Sequence, residues 1–279
     1  MTATQQQTKT FLLGVGAQKA GTSWLHDQLH KRSDANFGYL KEYHVLDALT
    51  LDEFKSFLPQ HPFPWQWRTW RRRRFIRNTD RYFDYFAKLL SNPSIKLTGD
   101  ITPSYGCLSA DTFRWVRDQF DQRGITTRIV FLLRDPVERV LSQQRMKLKK
   151  SGSLKPEQEV MQLRRAAEKL QKKPSQRSNY SQTLRHLYEA FDEQDILVAL
   201  YEQLFTEPIF QHLCNHLNID YIEPNWGQRV NESRSTTSTP DDILAMLGAS
   251  QRETYQALAS QYPQLKIQTH WPTASRWCA

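Results

Sequence analysis

The feature that most constrains this chain is a short loop, Gly16-Ala17-Gln18-Lys19-Ala20-Gly21-Thr22-Ser23, set between an apolar run and a helical pattern. The run before it, FLLGV (11–15), is short, apolar and ended by glycine, as a buried strand should be. After it, Trp24, Leu25 and Leu29 recur at helical spacing, with Thr22 or Ser23 placed to start the helix. The loop keeps the spacing of a nucleotide-binding P-loop: glycine, four residues, glycine, then hydroxyl residues. It departs in one place. Thr22 follows the second glycine where ATPases and GTPases carry lysine, and the lysine sits inside the loop as Lys19. The physics still favours an anion. Glycines let successive amides turn inward, and the first amides of the next helix are unsatisfied and favoured by its dipole. Lys19 adds a full charge and Thr22 and Ser23 add hydroxyls.

A second apolar run, RIVFLL (128–133), ends in Arg134-Asp135, and Pro136 opens a helix reaching about Lys150. Open α/β sheets bind ligands at the carboxyl ends of their strands. Arg134 offers a planar fork to a phosphate there, and Ser142, eight residues on, offers a hydroxyl about two helical turns away. A third run, ILVALY (196–201), and a candidate short strand at 95–98 complete the strand signals. Helical patterns occupy 110–122, 156–172 and 178–192, and Pro208 opens another. NESRSTTSTP (231–240) reads as a polar loop before two closing helical stretches, and residues 1–10 read as a disordered tail. Apolar strands alternating with helices predict a mostly parallel sheet covered on both faces, in one domain over 11–279.

At this point a resemblance emerges. Gln18-Lys19-Ala20-Gly21-Thr22-Ser23-Trp24-Leu25 resembles the 5′-phosphosulfate loop of the sulfotransferases that use 3′-phosphoadenosine 5′-phosphosulfate (PAPS). Arg134-Asp135-Pro136-Val137-Glu138-Arg139-Val140-Leu141-Ser142 is similar to their 3′-phosphate motif. The match is nearest to the glycan branch, such as the heparan sulfate enzymes, and its bacterial relatives. It implies a P-loop NTPase-like three-layer α/β sandwich. It also implies that Gln18, Lys19, Ala20, Gly21, Thr22, Ser23 and Trp24 hold the 5′ end of the donor, while Arg134 and Ser142 hold the 3′-phosphate. The product would be 3′-phosphoadenosine 5′-phosphate (PAP), and no metal is implied.

Lys41-Glu42-Tyr43-His44 follows the first helix and places acid, base and cation side by side. The glycan branch carries a similar Glu-x-His segment, so the resemblance makes Glu42 the general base, with a pKa raised by partial desolvation. His44 is the alternative base or a positioning group. Gly99-Asp100-Ile101-Thr102-Pro103-Ser104-Tyr105 resembles the segment lining the acceptor, which makes Lys41, Asp100, Thr102 and Tyr105 acceptor-side candidates. Several glycan enzymes carry lysine where this chain has Ile101, so one cationic contact is missing there.

The formal net charge of +9 favours anionic partners without choosing among them. Much of it is concentrated at 65–77, where six arginines mix with three tryptophans inside a helical or irregular insertion spanning 51–92. That stretch is a solvated helix carrying core tryptophans, a nucleic-acid-binding segment, or an acidic-glycan or membrane-surface patch, with an acidic acceptor favoured over nucleic acid. Three widely spaced cysteines, Cys107, Cys214 and Cys278, form neither a disulfide framework nor a zinc pattern, and His212 and His216 around Cys214 read as a helix surface. No apolar run is long enough to span a bilayer. Lys9 followed by 11–17 imitates a signal peptide, but its two glycines and polar approach favour a first strand. The expectation is a cytoplasmic enzyme, with peripheral membrane association left open. Two alternatives stand beside it: a P-loop phosphotransferase using ATP and magnesium, and a non-enzymatic polyanion-binding protein using 65–77.

Overall fold

The computed structural model describes residues 9–58, 65–152, 156–228 and 238–278. The apolar runs form strands because each can bury every side chain, and a strand buried on both faces needs cover on both. β1 (Thr10–Gly16) is buried at all seven positions, β2 (Leu97–Ile101) at all five, and β3 (Thr126–Leu133) and β4 (Ile196–Leu200) nearly so. All four are parallel, in the order β2-β1-β3-β4. Parallel neighbours require crossovers, and helices supply them.

In chain order these are α1 (Thr22–His30), α2 (Leu46–Thr50), α3 (Trp67–Arg77), α4 (Asp80–Leu89), α5 (Ala110–Asp121), α6 (Pro136–Lys150), α7 (Pro156–Lys172), α8 (Tyr180–Ala190), α9 (Glu207–His216), α10 (Asp241–Ala249) and α11 (Arg252–Gln261). Two further short helices close the described chain. The α/β architecture, a central parallel sheet flanked by helices, is the expected one.

Some boundaries differ from the expectation. Residues 1–8 of the anticipated tail and 231–237 of the polar loop lie outside the described residues, and Thr10 already belongs to β1. The strand anticipated at 95–98 instead covers Leu97–Ile101, so Gly99 and Asp100 lie inside it. Both residue types are poor strand formers. What admits Asp100 is a set of tertiary hydrogen bonds described below.

Pairing fixes where the loops emerge. Thr10–Gly14 of β1 face Leu97–Ile101 of β2 and Thr126–Val130 of β3. The β1–β3 register shifts between Gly14 and Gly16, where the chain turns into the loop, and Ala17 N–H donates to Leu132 O. The carboxyl ends of β1 and β3 therefore open side by side at one edge of the sheet.

Candidate active site

At the end of β1, two glycines are required by space as well as by backbone angle. Gly16 has φ 131°, and a Cβ there would lie 2.8 Å from Pro103 O; Gly21 has φ 83°, and a Cβ would lie 2.6 Å from Leu204 Cδ2. Lys19 between them is also left-handed, at φ 72°. Gly21 is the N-cap of α1 and brings no side chain to its free amides. Side chains cap only some helices, with Ser109 accepting from Thr112 N–H at α5, Asp135 from Val137 N–H at α6 and Asn179 from Gln182 N–H at α8, while α2, α3, α4, α9, α10 and α11 start uncapped as α1 does. Such a cap contributes about 1 kcal/mol. Its absence at α1 leaves the amides to another acceptor, and an anion is the natural one.

The ends of β1 and β3 meet through Arg134. Its Nη1 donates to Lys19 O at 3.0 Å, its guanidinium lies over the Tyr201 ring at 4.7 Å, and its Nη2 stands 3.6 Å from Glu138. Gln143, on the second turn of α6, donates to Gln18 Oε1 at 2.8 Å, and Arg177 donates to the same oxygen at 3.2 Å. Helix α6 thus runs beside the phosphate-type loop, and Ser142 is on its buried side. Burial and then the cations around it, Arg134, Lys150, Lys41 and Lys149, hold the Lys19 ammonium below its ordinary range. A group of like charges gathered at uncapped helix amides is stabilised by an incoming anion.

Asp135 has a different role from the one a metal-dependent phosphotransferase would give it. It is fully buried, caps α6, and accepts from Tyr255 OH and Thr273 OH at 2.6 Å each. It ties the last helices to the sheet. Trp24 also needs correction as a donor-binding side chain. Its ring is buried among Phe205, Phe210 and Trp226, so only its backbone is available to the loop. Ala20, likewise buried, has backbone alone to offer.

The 41–47 segment is a continuous polar chain. Lys41 Nζ donates to Thr22 Oγ1 and Ser23 Oγ at 3.1 Å and to Glu42 Oε1 at 2.8 Å. Glu42 Oε2 stands 3.3 Å from His44 Nε2, and His44 Nδ1 stands 2.7 Å from Asp47 Oδ2. Asp47, fully buried, accepts in turn from Ser104 Oγ at 2.6 Å. His44 is left-handed at φ 51° and stacks on Phe57 at 3.9 Å. Burial alone would raise the Glu42 pKa, but His44 and Lys41 outweigh it and hold the carboxyl down at about 2. The expectation of a raised value is thus reversed for the unliganded protein. Burial would lower His44, yet Asp47 and Glu42 lift it to about 9.

Asp100, Thr102 and Tyr105 are brought to this loop, but from beneath. All three are fully buried. Asp100 accepts from Thr102 Oγ1 at 2.6 Å, Tyr105 OH at 2.7 Å and Tyr82 OH at 2.9 Å, and burial still pushes its pKa up to about 6. Thr102 and Tyr105 oxygens accept from the backbone N–H groups of Tyr43 and Val45. These residues fix the backbone that carries Glu42 and His44, and expose no surface to an acceptor. From the outside, Arg72 Nε donates to Tyr43 O at 2.6 Å. Asp47, Ser104, Gln143 and Arg177 are the site residues that sequence reasoning missed; only the three-residue step from His44 to Asp47 lay open to a local reading. Among the described residues, no group of three His, Cys, Asp or Glu side chains converges as a metal site would.

No protein-family model matches the sequence, and no curated protein matches it. Solved structures do. The chain is similar to a sulfotransferase from Alicyclobacillus acidocaldarius, with 16% identity, a TM-score of 0.58, and 91% of this chain and 95% of that one covered. Two further likenesses have 13% identity each. One is the sulfotransferase domain of the Synechococcus PCC 7002 olefin synthase (TM-score 0.45; 87% and 94% covered), the other that of the curacin biosynthetic pathway (TM-score 0.46; 82% and 81% covered). With its four parallel strands and the loop–helix junction at the end of β1, the chain is built on the fold of the Alicyclobacillus sulfotransferase.

Proposed function

We propose that this chain is a sulfotransferase that moves the sulfuryl group of PAPS to a hydroxyl or amine of an acceptor, with a carbohydrate as the acceptor class. One observation carries the reading: Arg134 donates to the backbone of Lys19 at 3.0 Å. Two anion cradles on neighbouring strands are thereby joined, as a nucleotide bearing phosphates at both ends of its ribose requires. The motif likeness and the shared fold support the same reading.

The α1 amides, Lys19, Thr22 and Ser23 hold the 5′-phosphosulfate, and Arg134 and Ser142 hold the 3′-phosphate. The acceptor oxygen attacks sulfur in line. The sulfur–oxygen bond to the phosphate breaks, PAP leaves, and Glu42 takes the acceptor proton. Oriented donors at the leaving oxygen are worth about 10²–10³ in rate each. Lys41 has a double position, touching the hydroxyls at the start of α1 and the carboxylate of Glu42. A donor sulfuryl group arriving at those hydroxyls competes for Lys41, and Glu42 becomes more basic as it is released. The same ammonium supplies the cation that Ile101 cannot.

Thermal shift with PAP, AMP and ATP plus magnesium tests the donor, and a screen with labelled PAPS tests the acceptor. At 100 times its dissociation constant a ligand stabilises by about 2.7 kcal/mol. PAP is expected to raise the melting temperature well above AMP. If ATP with magnesium does so and PAP does not, a phosphotransferase replaces this proposal.

A further inference from the structure

The Arg/Trp-rich segment is left unused by the site chemistry, and α3 orders it sharply. At 100° per residue, Trp67, Trp70, Arg71, Arg74 and Arg77 fall within one arc of about 120°, and all five are exposed. Phe75, Arg72 and Ile76 lie on the other side, where Phe75 is buried and Arg72 grips the Tyr43 carbonyl. The inner face thus anchors the helix beside the Glu42–His44 loop, and the outer face is exposed, with Trp67 and Arg71 at its edge also resting on Tyr39. Of the six large apolar side chains exposed among the described residues, three are tryptophans from this one stretch: Trp65 at 73%, Trp67 at 50% and Trp70 at 40%. No carboxylate among the described residues pairs with Arg71, Arg74 or Arg77. Charge complementarity therefore calls for an anionic partner.

We infer that the outer face of α3 docks on an anionic lipid bilayer. A soluble polyanion would engage the arginines and leave the indoles in water. A sugar chain would stack on open indole faces, but Arg68 and Arg73 lie over the Trp67 and Trp70 rings at 5.4 and 5.7 Å. A bilayer uses both chemistries at once: phosphate-rich headgroups for the arginines, and the interfacial layer just below for indole edges. No helix among the described residues is long and apolar enough to cross a membrane, so the association is peripheral.

Co-sedimentation of the full chain with vesicles tests this without donor or acceptor. Vesicles of phosphatidylcholine with about a third phosphatidylserine are expected to bind at least about tenfold tighter than phosphatidylcholine alone, and the excess should fade with salt. Arg71→Glu/Arg74→Glu/Arg77→Glu should abolish the preference, while the three Arg→Lys changes keep it. Trp67→Ala/Trp70→Ala should weaken binding to anionic vesicles about tenfold, with the folded state kept as read by circular dichroism. Absence of binding to anionic vesicles overturns the inference. So does binding that survives both the charge reversal and the tryptophan change. If soluble heparin binds through these arginines and vesicles do not, the face is a glycan site and the membrane assignment fails.

Discussion

The two halves of the site are prepared in opposite ways. On the proposed donor side, like charges are held together: Lys19 lies among Arg134, Lys41, Lys149 and Lys150, at the head of a helix with no capping side chain. On the acceptor side every charge already has a partner, from Lys41 through Glu42 and His44 to Asp47 and Ser104. Like charges gathered in this way favour an incoming anion. The acceptor loop is satisfied as it stands, and under the proposed mechanism it gives up a contact before Glu42 acts. Lys41 belongs to both halves, so this difference predicts an order: donor first, then a competent base.

The sharpest break of the comparison is at Glu42. Under the proposed mechanism Glu42→Gln removes the base and should lower turnover by about 10²–10⁴-fold. PAP affinity should stay within a few-fold, because the cradle is left whole. Single-turnover transfer from labelled PAPS beside PAP titration reads both quantities. Wild-type turnover would remove Glu42 from the mechanism, and a parallel loss of PAP affinity would merge the two halves.

Lys19→Ala should do the reverse, losing about 10²–10³ in rate together with PAP affinity. If affinity is lost but the rate at saturating donor survives, Lys19 is a binding residue alone. Arg134→Ala separates the two ends of the cradle. A hydrogen bond to a charged group is worth about 1.5–3 kcal/mol, so PAP binding should weaken by roughly 10–100-fold. Binding of adenosine 5′-phosphosulfate, which lacks the 3′-phosphate, should hardly change. Equal losses would show that Arg134 acts only by propping Lys19.

The donor half was legible in the sequence because it is local. Gly16, Lys19, Gly21 and Thr22 lie within seven residues, and Arg134 ends an apolar run that can only be a buried strand. The acceptor half was legible only in part. Glu42 and His44 stand out as neighbours, but the residues that fix them come from 57 to 60 positions away: Asp100 and Thr102 on Tyr43, Ser104 on Asp47, Tyr105 on Val45. Pairings of that range leave no periodicity behind. They also explain why Asp100, Thr102 and Tyr105 read as surface chemistry when they are buried. A carboxylate in a strand looks exposed until the two tyrosines that satisfy it are in view. The same blindness hid the Glu42 pKa, since desolvation can be guessed from a sequence and two cationic neighbours at hydrogen-bond range cannot.

The smallest effect tests how firmly the acceptor half is closed. His44 has an ordinary pKa of 6.5 that the fold raises to about 9 through Asp47 and Glu42, against its burial. A raised value means that the charged histidine favours the folded state. Its contribution is complete below about pH 6.5 and disappears as pH climbs through about 9. The melting temperature of the free protein should therefore drop across that interval, and Asp47→Asn should flatten the drop by removing the nearer partner. Glu42, held down at about 2, should add an acid limb that opens as pH falls below its ordinary 4.5 and is complete near 2. An Asp47→Asn protein that keeps the wild-type slope would mean that the drop does not come from the Asp47–His44 pair. The closed chain from Ser104 to Lys41 would then be broken at its middle.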